Sequence, residues 1–86
     1  MTKNEAVVTK DKWAIYAMRC CGHVPDKIVP SSAGDGGRFL LYHFPSSVGE
    51  DYDDYMRGVD REPFTTIRLI REIDGEFKNN LYRLMN

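Results

Sequence analysis

The stretch PFTTIRLIREIDGEFKNNLYRLM, residues 63 to 85, decides the fold because it is the longest segment able to form one continuous amphipathic element. Its apolar side chains recur at spacings of three and four residues, which places them on a single face of a helix at about 100° per residue. They are Ile67, Ile70, Ile73, Phe77, Leu81 and Leu84. We therefore expect a long C-terminal helix whose apolar face belongs to the core.

One alternative stays open for this stretch. Asp74-Gly75 between two apolar runs is also the strongest short-range signal for a tight β-hairpin. In that hairpin Ile70 would break the alternation of apolar residues, and Asn79-Asn80 is poor strand material. Because a glycine within a helix costs only about 1 kcal/mol relative to alanine, we favour the helix.

Length and composition predict one small folded domain. The chain has 86 residues, of which 42% are hydrophobic and 29% charged, and its formal net charge is −1. Such a chain builds one modest core, and it has no general electrostatic attraction to nucleic acid. We expect a single domain over residues 7 to 86 after a frayed N-terminus at residues 1 to 6.

The same composition predicts a cytoplasmic location. No apolar run approaches the ~20 residues needed to span a bilayer, so we expect no membrane association. The polar start, residues 1 to 5, lacks the apolar core of a signal peptide. Cys20 and Cys21 are adjacent, and a disulfide between neighbours would be strained, which favours two reduced thiols.

The remaining segments predict an α+β domain. Thr9 or Asp11 can cap a first helix that ends near Cys21. Strands at about residues 26 to 30 and 38 to 44 form an antiparallel hairpin across a glycine-rich loop. A short acidic helix then precedes the C-terminal one, so the order is helix, strand, strand, helix, helix, with the hairpin packed against the long C-terminal helix. Val7-Val8 could add an edge strand. The expected core contains Trp13, Phe39, Leu41, Ile70, Phe77 and Leu81.

Several landmarks resemble a known class of protein. They are a helix ending in Cys-Gly-His, the strand GGRFLLYHF, a helix ending DYMRG and a last helix carrying EFKNNLYRLM. Over residues 7 to 86 this order resembles small domains of unknown function found in phages and mobile elements. The resemblance implies a small accessory protein, and it assigns no active residues.

The sequence contains only weak motifs for catalysis or metal binding. Cys20, Cys21, His23 and His43 are suitable metal ligands by type, but adjacent cysteines rarely serve one tetrahedral ion. The glycine loop at residues 34 to 37 is followed by a strand, whereas phosphate-binding loops lead into a helix. No nucleophile, base and stabiliser can be assembled from these groups, so we expect neither an enzyme nor a cofactor.

Two surfaces are candidates for binding. Residues 48 to 62 contain six acidic and two basic residues, a local charge of −4, and the acidic helix alternates carboxylates with phenols. A larger protein with a basic surface would suit this candidate site, which comprises Asp51, Tyr52, Asp53, Asp54 and Tyr55. The alternative is an accessory protein that binds nucleic acid through Arg68, Arg71, Lys78 and Arg83 of the C-terminal helix. The sequence leaves the oligomeric state open.

Overall fold

The structure is a computed structural model that describes residues 6 to 85. It contains strand β1 (Val7–Thr9), helix α1 (Lys12–Cys20), strands β2 (Lys27–Ser32) and β3 (Arg38–Phe44), and helices α2 (Gly49–Met56) and α3 (Phe64–Met85). The small α+β domain predicted from the sequence is confirmed. The predicted frayed segment lies outside the described residues except for its last one.

The three strands form an antiparallel sheet in the order β1-β3-β2. The hairpin of β2 and β3 is confirmed, and Gly36 makes its turn possible with a φ of 89° that other residues rarely adopt. The predicted edge strand is also present, because Val7 pairs with Phe44 and Thr9 with Tyr42. The glycine loop is therefore a hairpin turn.

Helix α1 is bounded by a capping residue at its start and a glycine at its end. Of the two predicted caps Asp11 is the one used, since its carboxylate accepts hydrogen bonds from the backbone N–H groups of Trp13 at 3.0 Å and Ala14 at 3.4 Å. Gly22 ends the helix with a φ of 90°, and the N–H of His23 then bonds back to the carbonyl of Met18. This reversal fixes where His23 leaves the helix.

The core lies between the sheet and the three helices. Small residues on α1 allow close approach, and larger side chains from β3, α2 and the start of α3 fill the space. The buried apolar residues are Ala14, Ile15, Ala17, Met18, Phe44, Val48, Tyr55, Phe64 and Ile67. Trp13, Phe39 and Leu41, which we expected in the core, are only half-buried.

Helix α3 is continuous through Asp74-Gly75, which excludes the hairpin alternative for this stretch. Its predicted role as a core face is wrong beyond the first turns, because only Phe64 and Ile67 are buried. Ile70, Phe77 and Leu81 are all exposed, so these three expected core residues lie outside the core. Helix α3 packs on α1 through its beginning and then extends away from the rest of the domain.

The dimensions of the domain agree with this extension. A helix of 22 residues is about 33 Å long, and only its first turns touch the core. The Cα radius of gyration is 15.0 Å, whereas a compact chain of this length has about 12 Å. The molecule is a small folded body with a projecting helix.

Candidate functional site

A polar cluster joins the end of α1 to α2 and to the segment before α3. The guanidinium of Arg61 donates to Asp51 at 2.7 Å and to Asp54 at 3.0 Å. The second oxygen of Asp51 lies 2.7 Å from Nε2 of His23, and Asp54 also accepts from Arg57. The cluster therefore neutralises two of the carboxylates that we expected to face a partner.

The cluster shifts the pKa values of Asp51 and Cys21 in opposite directions. The hydrogen bond from His23, aided by Arg61, lowers the pKa of Asp51. Burial first, and then the negative charge of Asp51, raises the pKa of the Cys21 thiol beside the cluster. Because the thiolate is the nucleophilic form, this shift lowers the reactive fraction of Cys21.

Removing the Asp51 carboxylate should change stability in a pH-dependent way. The folded pKa of Asp51 lies below its ordinary value of 3.8, so its contribution is complete above about pH 4 and is lost as the pH falls through the folded pKa. We expect Asp51→Asn to lower the free energy of unfolding by about 1 kcal/mol at neutral pH. The difference from the wild type should shrink below about pH 4 in urea titrations at several pH values. Asp53→Asn is the control, and a similar pH-dependent loss there would contradict the assignment.

The acidic helix α2 does not present the combination of groups that the sequence predicts for a docking face. Tyr55 is 5% exposed and packs its ring against Phe64 at 5.6 Å between centroids, so it faces the core. Tyr52 is half-buried against the same core. Asp53 is half-buried, and Asp51 belongs to the polar cluster. The tyrosines therefore support the fold, and binding through the remaining carboxylates stays a prediction.

The predicted basic residues of α3 differ in the contacts that they make. Arg68 donates to the backbone carbonyls of Val59 at 2.7 Å and Tyr55 at 2.8 Å, which ties α3 to the end of α2. Lys78 pairs with Asp74 at 3.1 Å, and Arg83 bonds to a neighbouring asparagine. Arg71 is exposed. One of the four residues is thus structural, and a second is paired with a carboxylate.

The possible metal ligands in the described part of the chain are not grouped into a site. Between residues 6 and 85, no three histidine, cysteine or acidic side chains are grouped so that they could hold a metal ion. His43 lies on β3 opposite Val8 and Lys27, on the face of the sheet away from Phe44. Within the same residues, no helix has the length and apolarity required to cross a bilayer.

Among the described residues, the apolar face of α3 beyond its first turns is exposed along its length. Ile70 is 46% exposed, Phe77 66% and Leu84 83%. We call the set that shares this face the distal stripe, and it comprises Ile70, Ile73, Phe77, Leu81 and Leu84. It covers an arc of about 80° and lies roughly 110° around the helix axis from the buried Phe64 and Ile67. The distal stripe therefore points away from the core that α3 itself helps to form.

The sequence identified these residues but assigned them to the wrong environment. Their periodicity shows that they share a face, and a core face and an interface have the same periodicity. A signal for the difference was present in the helical angle, because Phe64 and the distal stripe lie on different sides of the helix.

Comparisons with protein-family models, with curated proteins and with solved structures found no match.

Proposed function

We propose that the protein is a small non-enzymatic interaction module whose docking surface is the distal stripe of α3. The observation that carries the proposal is a row of five large apolar side chains, all about half exposed or more, on a helix that projects from a folded body. Monomeric proteins rarely expose contiguous apolar patches above a few hundred Å². An amphipathic helix with such a face binds by laying it against another apolar surface.

The other candidate surfaces are weaker for reasons that the contacts supply. The acidic helix has its tyrosines turned inward and part of its charge neutralised by Arg61.

A role for the protein in a phage or mobile element stays a prediction from the resemblance of its sequence landmarks. We also propose a cytoplasmic location, where free thiols such as Cys20 and Cys21 remain reduced.

A matched pair of substitutions on α3 tests the docking surface. Phe77 belongs to the distal stripe, whereas Tyr82 is an equally exposed aromatic residue, at 72%, on another side of the same helix. We expect Phe77→Glu to abolish capture of the partner by the immobilised chain from an extract of the native host, because a charge in the apolar contact is left unpaired. Tyr82→Glu should retain the capture, which is quantified by mass spectrometry and by titration of the purified partner.

Three results would contradict the proposal. Capture that is unchanged in Phe77→Glu would exclude the distal stripe, and loss of capture in Asp53→Asn, which leaves the polar cluster intact, would favour the acidic helix. Recovery of DNA or RNA that falls steeply with salt and requires the exposed Arg71 would favour nucleic-acid binding.

A further inference from the structure

We propose that the partner of the distal stripe is a second copy of this chain, paired so that the two α3 helices run antiparallel and cross at Phe77. This inference rests on the proposed function, since it names what covers the same surface. The dimer would be isologous, with each helix contributing the same residues to one seam.

The spacing within the distal stripe is symmetric about Phe77. Ile73 and Leu81 each lie four residues from Phe77, and Ile70 and Leu84 each lie seven residues from it. A twofold axis at Phe77 therefore places Ile70 opposite Leu84 of the second copy and Ile73 opposite its Leu81. From Ile70 to Leu84 the stripe advances by 14 positions in four steps, so its mean spacing matches the 3.5 residues per contact of a coiled-coil seam.

One flank of the distal stripe carries an acidic and a basic residue that come close to each other in the same alignment. Asp74 and Lys78 lie on one flank of it and already pair within the helix at 3.1 Å. In the antiparallel dimer, Asp74 lies within two residues, about 3 Å along the axis, of the position facing the second copy's Lys78. A lysine side chain spans that offset, so each copy can supply one acidic and one basic member to two symmetric ion pairs.

The area of the distal stripe suits a two-helix interface. Five exposed side chains of this size offer on the order of 500 Å² of apolar surface per chain. A standard interface buries about 800 Å² per partner, so the stripe supplies the centre and flanking residues such as Asp74 and Lys78 supply the rim. The folded body is attached through Phe64 and Ile67, at one end of α3 and on another side of it. Antiparallel pairing therefore places the two bodies at opposite ends of the seam.

Sedimentation of the full chain, over about a hundredfold range of concentration around the micromolar level, tests self-association. The wild type should pass from monomer to dimer. We expect Phe77→Glu to raise the dimer dissociation constant by about a hundredfold and Tyr82→Glu by less than about threefold. Circular dichroism and the monomer's unfolding midpoint show that each variant is folded.

Cross-linking tests the orientation in a background of Cys20→Ser and Cys21→Ala. Two chains are prepared, one with Ile70→Cys and one with Leu84→Cys, and treated with a short bis-maleimide. The antiparallel dimer predicts cross-linking between the two different chains. Leu84→Cys alone should give little product, since two copies of that position lie about 21 Å apart.

Each outcome decides the proposal. Efficient cross-linking of Leu84→Cys with itself indicates a parallel pair and overturns the antiparallel arrangement. A dimer that Phe77→Glu leaves intact uses another surface, such as the outer face of the sheet, and overturns the inference. A chain that stays monomeric overturns it too, but if Phe77→Glu still loses a captured host protein, the proposed function survives with a different partner. A monomer with no stripe-dependent capture overturns both.

Discussion

Replacing Phe64 with Ala is expected to lower the free energy of unfolding by about 3 to 5 kcal/mol. Phe64 is 0% exposed, its ring packs against that of Tyr55, and the guanidinium of Arg61 lies 4.3 Å from its ring centroid. The substitution would therefore leave a cavity where α3 joins the core, and the cation would lose its aromatic partner. Urea or guanidinium titration of dilute protein measures the loss.

Phe77→Ala is the matched control on the same helix. Phe77 is largely exposed in the monomer, so its truncation should cost less than about 0.5 kcal/mol at concentrations where the chain is monomeric. This result would separate the structure from the sequence pattern, which places Phe77 on a helix face that packs in the core. A loss of several kcal/mol for Phe77→Ala in the monomer would show that the distal stripe packs on its own domain.

Arg68→Ala is expected to lower the free energy of unfolding by about 2 to 3 kcal/mol. Its guanidinium forms two charge-assisted bonds to carbonyls at the end of α2 and lies 5.2 Å from the ring centroid of Tyr55. The substitution would leave both carbonyls without this donor in a half-buried environment. Arg68→Lys should recover only part of the loss, because an ammonium cannot reproduce the planar fork of a guanidinium. Chemical denaturation measures both variants.

Arg71→Ala is the control for that prediction, since Arg71 is an exposed arginine one turn further along α3. Its loss should change stability by no more than about 0.5 kcal/mol. Equal destabilisation by both substitutions would show that the helix, and not the two carbonyl contacts, is the source of the effect. Retained stability in Arg68→Ala would remove the structural role that we assign to Arg68.

The elements that the sequence predicts well are those whose signals are local. Asp11 and Gly22 bracket α1 through bonds to their own neighbours, and Gly36 marks the hairpin turn through its backbone conformation. The continuity of α3 through Gly75 also follows from the sequence, because the cost of one glycine is small beside a sustained helical period. These features need no knowledge of what each element touches.

The candidate surfaces could not be predicted because they depend on contacts between distant residues. Arg61 neutralises Asp51 across ten positions, and His23 reaches the same carboxylate across twenty-eight. Nothing in the local pattern of the acidic helix reveals either partner. For the distal stripe, the sequence predicts which residues share a helix face. It does not predict whether that face is buried, because burial depends on how far α3 packs along α1.

The projection of α3 also gives the chain two segments of unequal intrinsic order. The first turns are held by Phe64, Ile67 and Arg68, whereas the segment after Gly75 has few contacts of its own with the body. An isolated helix shorter than about 12 to 15 residues is marginal in water. The distal segment should therefore unwind and reform more often than the core opens. Under the proposed function, recognition by such a segment would be coupled to its folding, which would weaken the affinity for each unit of contact area.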